Sequence, residues 1–261
     1  MKGIGIIIDA TAIILGCSLG VMIKYELPAW VKRLILQGIG FAALLFGAYS
    51  LLFDGWFSAE TIGVEIEGSF LIVVALLLGG LFGEALRLDR GLDKLGAALR
   101  KFDSRSTVTK KDVKAKSAEL RSGNRFVEGF TTATILCAFS TMAFTATLSA
   151  CLDGDNKTIL IKAAVDAVVV FLLAKVYGTG AGFAVVPTLT VEGILAIVAT
   201  ARTEWLTPAY VLHLTIISSV ILIVEGINLA FDKRLKVINL LPAFFIGPLY
   251  WWAIKTADLK K

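Results

Sequence analysis

The stretch Thr158–Tyr177, TILIKAAVDAVVVFLLAKVY, constrains this chain most, because it is an apolar run of membrane-spanning length that carries Lys162, Asp166 and Lys175. At roughly 1.5 Å per residue it covers the ~30 Å hydrocarbon thickness of a bilayer. An ionisable group at that depth costs about 2.5–3.5 kcal/mol on insertion scales, so it pairs, faces a cavity or marks a pathway. Lys175 lies nine positions beyond Asp166, on the opposite helix face and near enough to the end to anchor at the headgroups. Lys162 and Asp166 are four apart, which stacks them on one face with Asp166 near mid-bilayer. That pair is the first candidate for a substrate or ion site. Its structural alternative is a self-neutralising ion pair that orients the helix.

The rest of the chain fits the same setting. With 57% hydrophobic residues and a mean hydropathy of +0.80, it lies outside the soluble range. The expected fold is an all-α, polytopic membrane bundle. The net charge of +5 does not call for nucleic acid, because the excess sits in one block, Arg87–Arg125, with twelve Lys and Arg against five Asp and Glu. Positive-inside topology accounts for it. Cys17, Cys137 and Cys151 fall in or beside apolar spans and outline no disulfide framework. The first apolar run has no small-residue cleavage site after it, so it is expected to stay as a span.

Taken in order, Ile4–Ile23 is a span broken only by Asp9, with Gly16, Ser18 and Gly20 as a close-packing face. Leu34–Phe53 is the second span, and the acidic segment 54–68 follows as an outer loop. Phe70–Leu86 is the third, with Gly79, Gly80 and Gly83 available for packing within the chain or between protomers. In the basic block, Leu88, Leu92, Leu95, Leu99 and Phe102 recur at helical spacing, while Arg90, Lys94, Arg100 and Lys101 occupy other positions. This predicts an amphipathic helix on inner, anionic headgroups.

Phe126–Ala150, the fourth span, is rich in hydroxyls, Ser140 and Thr141 among them, which line a polar route or bend the helix. A glycine-rich link, 178–182, follows the Lys162 span and reads as a hinge. Val185–Thr200 is short, interrupted by Pro187 and Gly193, and carries Glu192; such segments point to broken helices at transporter sites. Tyr210–Phe231 carries His213, Glu225 and Asn228, and Val237–Ile254 is the last span. About eight crossings, one of them short or broken, put all three basic links on the cytoplasmic side and both termini outside. The chain divides into an N-terminal three-span unit (1–86), the basic loop (87–125) and a C-terminal membrane unit (126–261).

Two internal matches, Asp9-Ala10 with Asp166-Ala167 and 40–53 with 218–231, point to a partly inverted repeat in which the second pair is reversed in sense relative to the first. Further motifs are VEGF-x-TA at 127–133, Gly154-Asp155, Lys162-x-x-x-Asp166, VP-x-L at 186–189, GIN at 226–228 and NLLPA at 239–243. With these the chain resembles the YdfK/YqgA-like family of bacterial inner-membrane proteins, a domain of unknown function numbered 554. The resemblance implies a bacterial cytoplasmic-membrane protein and leads to amides at positions 9 and 192; the acids found there favour cation or proton coupling.

The leading expectation is therefore a secondary transporter of a small solute or ion. Lys162, Asp166 and Glu192 line its site, Asp9 and Glu225 tune it, and Asn228, Thr141 and Ser140 contribute polar groups. No His dyad, serine-nucleophile context or metal cluster accompanies the acids, so an enzyme, a cofactor and a bound metal are not expected. The alternative is a non-catalytic scaffold or regulator that reads anionic lipid or a partner through Arg90, Lys94, Arg100 and Lys101. The expected partners are the lipid bilayer, the transported solute and a second copy in a homodimer or other homo-oligomer, without nucleic acid.

Overall fold

A computed structural model of the chain describes residues 3–23, 25, 27–57, 67–100, 113–201 and 206–246, and the regular elements among them are all helical. In order they are α1 (Ile4–Met22), α2 (Ala29–Tyr49), α3 (Glu67–Leu86), α4 (Leu88–Leu99), α5 (Val113–Ala138), α6 (Thr141–Leu152), α7 (Lys157–Tyr177), α8 (Val185–Ala201) and α9 (Pro208–Phe231). A π-helical turn, Ser50–Phe57, extends α2, a 3-10 segment, Thr179–Ala184, leads into α8, and another, Val237–Leu240, follows α9. Among the described residues four helices are long and apolar enough to cross a membrane, or five if the bent pair α5/α6 is one span. α7 has 21 residues, but it carries the three internal charges.

The burial pattern is that of a protein in lipid. On α1, Gly5, Asp9, Ala10, Gly16, Cys17 and Gly20 face inward, whereas Ile7, Ile14, Leu15 and Leu19 are exposed. Large apolar side chains gain nothing by leaving a hydrocarbon solvent, so helices there associate through small residues that let backbones touch. Gly16 meets the backbone of Ala167, and Gly20 meets the Phe171 carbonyl and Ala174. Numbers rise together along this seam, so α1 and α7 run parallel. Gly40 meets Gly226 and Ala230 while Gly47 meets Ser219 and Ile223, so α2 and α9 run antiparallel. Gly79 and Gly83 of α3 pack on Ala243 and Asn239 of the same chain; that face serves the fold internally.

Two further elements differ from the sequence reading. The fourth span is not straight: α5 ends at Ala138, α6 starts at Thr141, and the pair bends by 46°. Ser140 is the cause, because it takes an extended conformation and its hydroxyl accepts the Ala143 amide at 3.3 Å, capping α6. The glycine-rich link is wound into the 3-10 segment and packed, with Gly180 against Phe126 and Gly182 against Cys17. Its glycines allow close approach rather than forming an open hinge.

The basic links gather at one end of the bundle. Lys175 donates to the carbonyls of Ile23 and Tyr25, at the end of α1, and Arg125 donates to Val176 O at 3.1 Å. Glu84, near the end of α3, pairs with Lys236 and accepts from the Asn239 side chain at 2.7 Å; Asn239 Oδ1 in turn accepts the Asp89 backbone amide at 3.0 Å. α4 is helical as its leucine spacing predicts, but Leu88 and Leu92 pack on the protein core and Gly96 on Phe130. Phe102 lies outside the described residues.

Candidate functional site

Lys162 stands at the centre of a cluster assembled from three helices. Its ammonium nitrogen is 2.7 Å from Asp9 Oδ2, 2.6 Å from Asp166 Oδ2 and 2.8 Å from Glu192 Oε1. None of the four residues is more than 5% exposed. Asp166 arrives from the next turn of α7. The parallel seam of α1 on α7 brings Asp9 alongside, since Gly16 and Gly20 let the two backbones touch. Glu192 comes from the inward face of α8, the stripe Thr188, Glu192, Leu195 and Ala199 at helical spacing.

Asp9 and Asp166 each accept a hydrogen bond from Lys162. Glu192 Oε1 forms the third ion pair with Lys162, while Glu192 Oε2 and Asp9 Oδ1 have no hydrogen-bond partner among the described residues. One ammonium thus faces three carboxylates. Fully ionised, the cluster carries an excess of two negative charges at buried positions, where unbalanced charge is costly. The Cys137 thiol, wholly buried on α5, interacts with Asp166.

A second polar region opens at the basic end, a cavity of about 570 Å³ that reaches inward to Thr131, Thr132 and Glu225. Glu225 is 4% exposed and is held by hydrogen bonds from Asn228, at 3.2 Å, and from Thr132. Asn228 also donates to Leu235 O and accepts from Leu235 N, which ties the turn after α9 back to the helix. The cavity mouth carries both signs of charge, including Asp89, Asp93, Lys233 and Arg234. Burial raises Asp93 above its ordinary carboxyl value, and the Asp89 charge adds to that.

The structure therefore brings Lys162, Asp166, Glu192 and Asp9 into direct contact and places Glu225 and Asn228 at the cavity. Asp9 belongs to the charge cluster itself. Ser140 is the cap of α6, and Thr141, the first residue of that helix, has a buried hydroxyl without a partner among the described residues. Arg90 and Lys94 are exposed on α4, Arg100 is half-buried, and Lys101 lies outside the described residues. Among the described residues no group of three or more His, Cys, Asp or Glu is arranged to hold a metal ion. Sequence reasoning counted Thr131 and Thr134 among the hydroxyls of 126–150 but passed over Cys137. Its place three residues beyond Thr134, in step with Thr131, was the available signal.

Comparison with known proteins agrees with the motif-based resemblance. The family model described as "Protein of unknown function (DUF554)" matches residues 4–252. The chain is similar to "Uncharacterized membrane protein YdfK" of Bacillus subtilis (strain 168), at 23% identity over 259 residues, covering 98% of this chain and 99% of that protein. It is also similar to "Uncharacterized protein YqgA" of Escherichia coli (strain K12), at 24% identity over 249 residues, covering 94% of each. No solved structure matches it significantly.

Proposed function

This chain belongs to the DUF554 family, and for this member we propose secondary transport of a small solute or ion, coupled to protons or a monovalent cation at the Lys162 cluster. The observation that carries the reading is the mismatch of one ammonium and three carboxylates, all buried, with Asp9 Oδ1 and Glu192 Oε2 lacking a hydrogen-bond partner among the described residues. A permanent architectural ion pair needs one acid. Three acids around one base form a site whose charge balance is completed by something that comes and goes, and protons or a small cation meet that requirement. Helices in backbone contact at Gly16 and Gly20 are suited to small displacements as the site fills and empties.

The finer topology belongs to the same proposal. α3, α7 and the apolar segment Val237–Ile246 join the five span-capable units to give about eight crossings. The basic end faces the cytoplasm of a bacterial inner membrane and both termini face out. Parallel α1/α7 and antiparallel α2/α9 have the senses a partly inverted repeat requires, and Asp9 and Asp166 are then its equivalent acids. No chemical catalysis is assigned, and homo-oligomerisation is part of the proposal through lipid-facing surfaces.

The test is current recording from purified protein in liposomes on a solid-supported membrane, screened over H⁺, Na⁺, small carboxylates and amino acids. The expected result is an ion- or solute-dependent current that Asp166→Asn abolishes. Absence of current and of any ligand-dependent thermal shift, with Asp166→Asn behaving as wild type, overturns the proposal. A regulatory reading draws on Arg90 and Lys94, one turn apart on the open face of α4. It requires that deleting 107–122 abolish function, whereas transport through the bundle survives that deletion.

A further inference from the structure

Hydroxyls inside an apolar helix ordinarily bond back to a carbonyl one turn earlier. In this chain Thr145, Thr188, Thr190, Thr200, Thr215, Ser218 and Ser219 all do so. The broken helix, which also carries Thr145, holds four that do not. Thr131, Thr134, Thr141 and Thr147 each have a buried hydroxyl oxygen with no partner among the described residues, and all four lie on α5 or α6. Thr134, Thr141 and Thr147 are at most 2% exposed. Apart from Asn156, the other buried side-chain atoms in this condition belong to Asp9 and Glu192, within the Lys162 cluster.

Two of the four hydroxyls, with Cys137, form a line with a destination at each end. Thr131, Thr134 and Cys137 recur every three residues, which keeps them toward one side of α5, and Thr141 opens α6 just past the break. Thr131 lines the cavity that opens at the basic end and contains Glu225. Cys137 interacts with Asp166. Thr134 stands one turn from each. The helix break falls just beyond Cys137, at the end of α5.

We propose that this line, Thr131–Thr134–Cys137–Thr141, is the access route by which the coupling ion passes between the basic-end cavity and the Lys162 cluster, with Glu225 as its first stopping point. It rests on the transport reading and gives that site a direction: loading from the basic end. Spare hydroxyl lone pairs are what a proton carried by transient water, or a small dehydrated cation, needs in place of bulk hydration. Back-bonded hydroxyls have already committed their proton to a carbonyl, which fixes their orientation, whereas an unpartnered one can turn to donate to water or to present a lone pair to a cation.

Cys137 is a reporter built into the route. In full-length protein with Cys17→Ala and Cys151→Ala, reconstituted in liposomes, silver nitrate in chloride-free buffer supplies a thiol-reactive cation of alkali-ion size. The extent of reaction is read as Cys137 protected from alkylation after unfolding. Silver is expected to reach Cys137 in the folded protein, and Thr134→Val, which keeps shape but removes the hydroxyl, is expected to slow it at least tenfold without lowering Tm. Because the Thr134 hydroxyl has no partner to lose, folding of that variant is secure.

Sidedness is read with Thr131→Cys and an impermeant methanethiosulfonate cation, which is expected to react from the same side as Lys233→Cys. An inert Cys137, an equal rate in Thr134→Val, or reaction of Thr131→Cys from the side opposite Lys233→Cys overturns the route. These readouts need no transport. Currents with an inert Cys137 sink the route and spare the transporter; Thr134-dependent silver reaction without currents does the reverse.

Discussion

Neutralising Lys162 and neutralising one of its acids have very different consequences if the cluster carries surplus negative charge. One oxygen of each carboxylate is within 2.8 Å of the Lys162 nitrogen, so any two of these three are no more than about 5.6 Å apart, twice that length. At an effective dielectric near 20, each repulsion is then at least about 3 kcal/mol and each attraction to the ammonium about 6 kcal/mol. Glu192→Gln gives up one attraction and relieves two repulsions, which nearly cancel, and it removes the cost of burying that charge. Its stability is expected within about 1 kcal/mol of wild type. Lys162→Met loses all three attractions and keeps every repulsion, so it falls in the range of broken buried pairs, about 3–5 kcal/mol or more.

For a chain of this size, 1 kcal/mol corresponds to roughly 2–4 °C, so Lys162→Met should lower Tm by about 6–20 °C while Glu192→Gln moves it by no more than about 4 °C. Cys17, Cys137 and Cys151 are buried, so a thiol-reactive fluorogenic dye reports unfolding of the detergent-purified protein directly. Lowering the pH to 5 should shrink the Lys162→Met deficit, because protons then replace the missing ammonium. Equal losses for the two variants would refute the surplus-charge reasoning and leave an ordinary, evenly matched salt-bridge network.

Two other predictions concern packing and the cavity mouth. Gly16→Ala drives a methyl into the backbone of Ala167, which cannot yield as a side chain can, whereas Gly38→Ala meets nothing within 4 Å. The first is expected to cost about 1–3 kcal/mol or more and the second to gain about 0.5–1 kcal/mol, read as opposite Tm shifts. Asp93 has its folded value raised above 3.8 by burial and by Asp89. Ionising it therefore costs the folded state stability, and the cost grows as pH rises from 3.8 through the raised value. Asp93→Asn should melt higher than wild type at neutral pH, with the difference vanishing at pH 3.8, in a series of thermal scans.

Local spacing made part of this legible in the sequence. Lys162 and Asp166 had to meet because they are one turn apart, and Glu192 stood out as an acid in an apolar helix. The amphipathic period of 88–99 gave α4, but not that the protein core rather than the headgroups receives Leu88 and Leu92, since both are apolar destinations. The break after Ala138 was hidden by abundance: with so many hydroxyls in 126–150, nothing local singles out Ser140 as the one that caps a new helix. Asp9 was assigned a tuning role because its place in the cluster depends on α1 packing against a helix some 150 residues away, which periodicity does not encode.

What the sequence did contain, in separate pieces, was the condition for that contact. Asp9, Gly16 and Gly20 lie on one stripe of α1, since seven and eleven residues are close to two and three whole turns. The stripe that lets α1 lie against α7 is therefore the stripe that carries the acid. An aspartate is short, and its carboxylate reaches Lys162 because Gly16 and Gly20 remove the side chains that would hold the backbones apart. Packing and charge are then a single device: a displacement of α1 along α7 changes how many negative groups the ammonium faces, and a change in charge at the cluster alters what holds α1 in place. That reciprocity is what coupling requires, and it comes from two glycines and an acid sharing one face of the first helix.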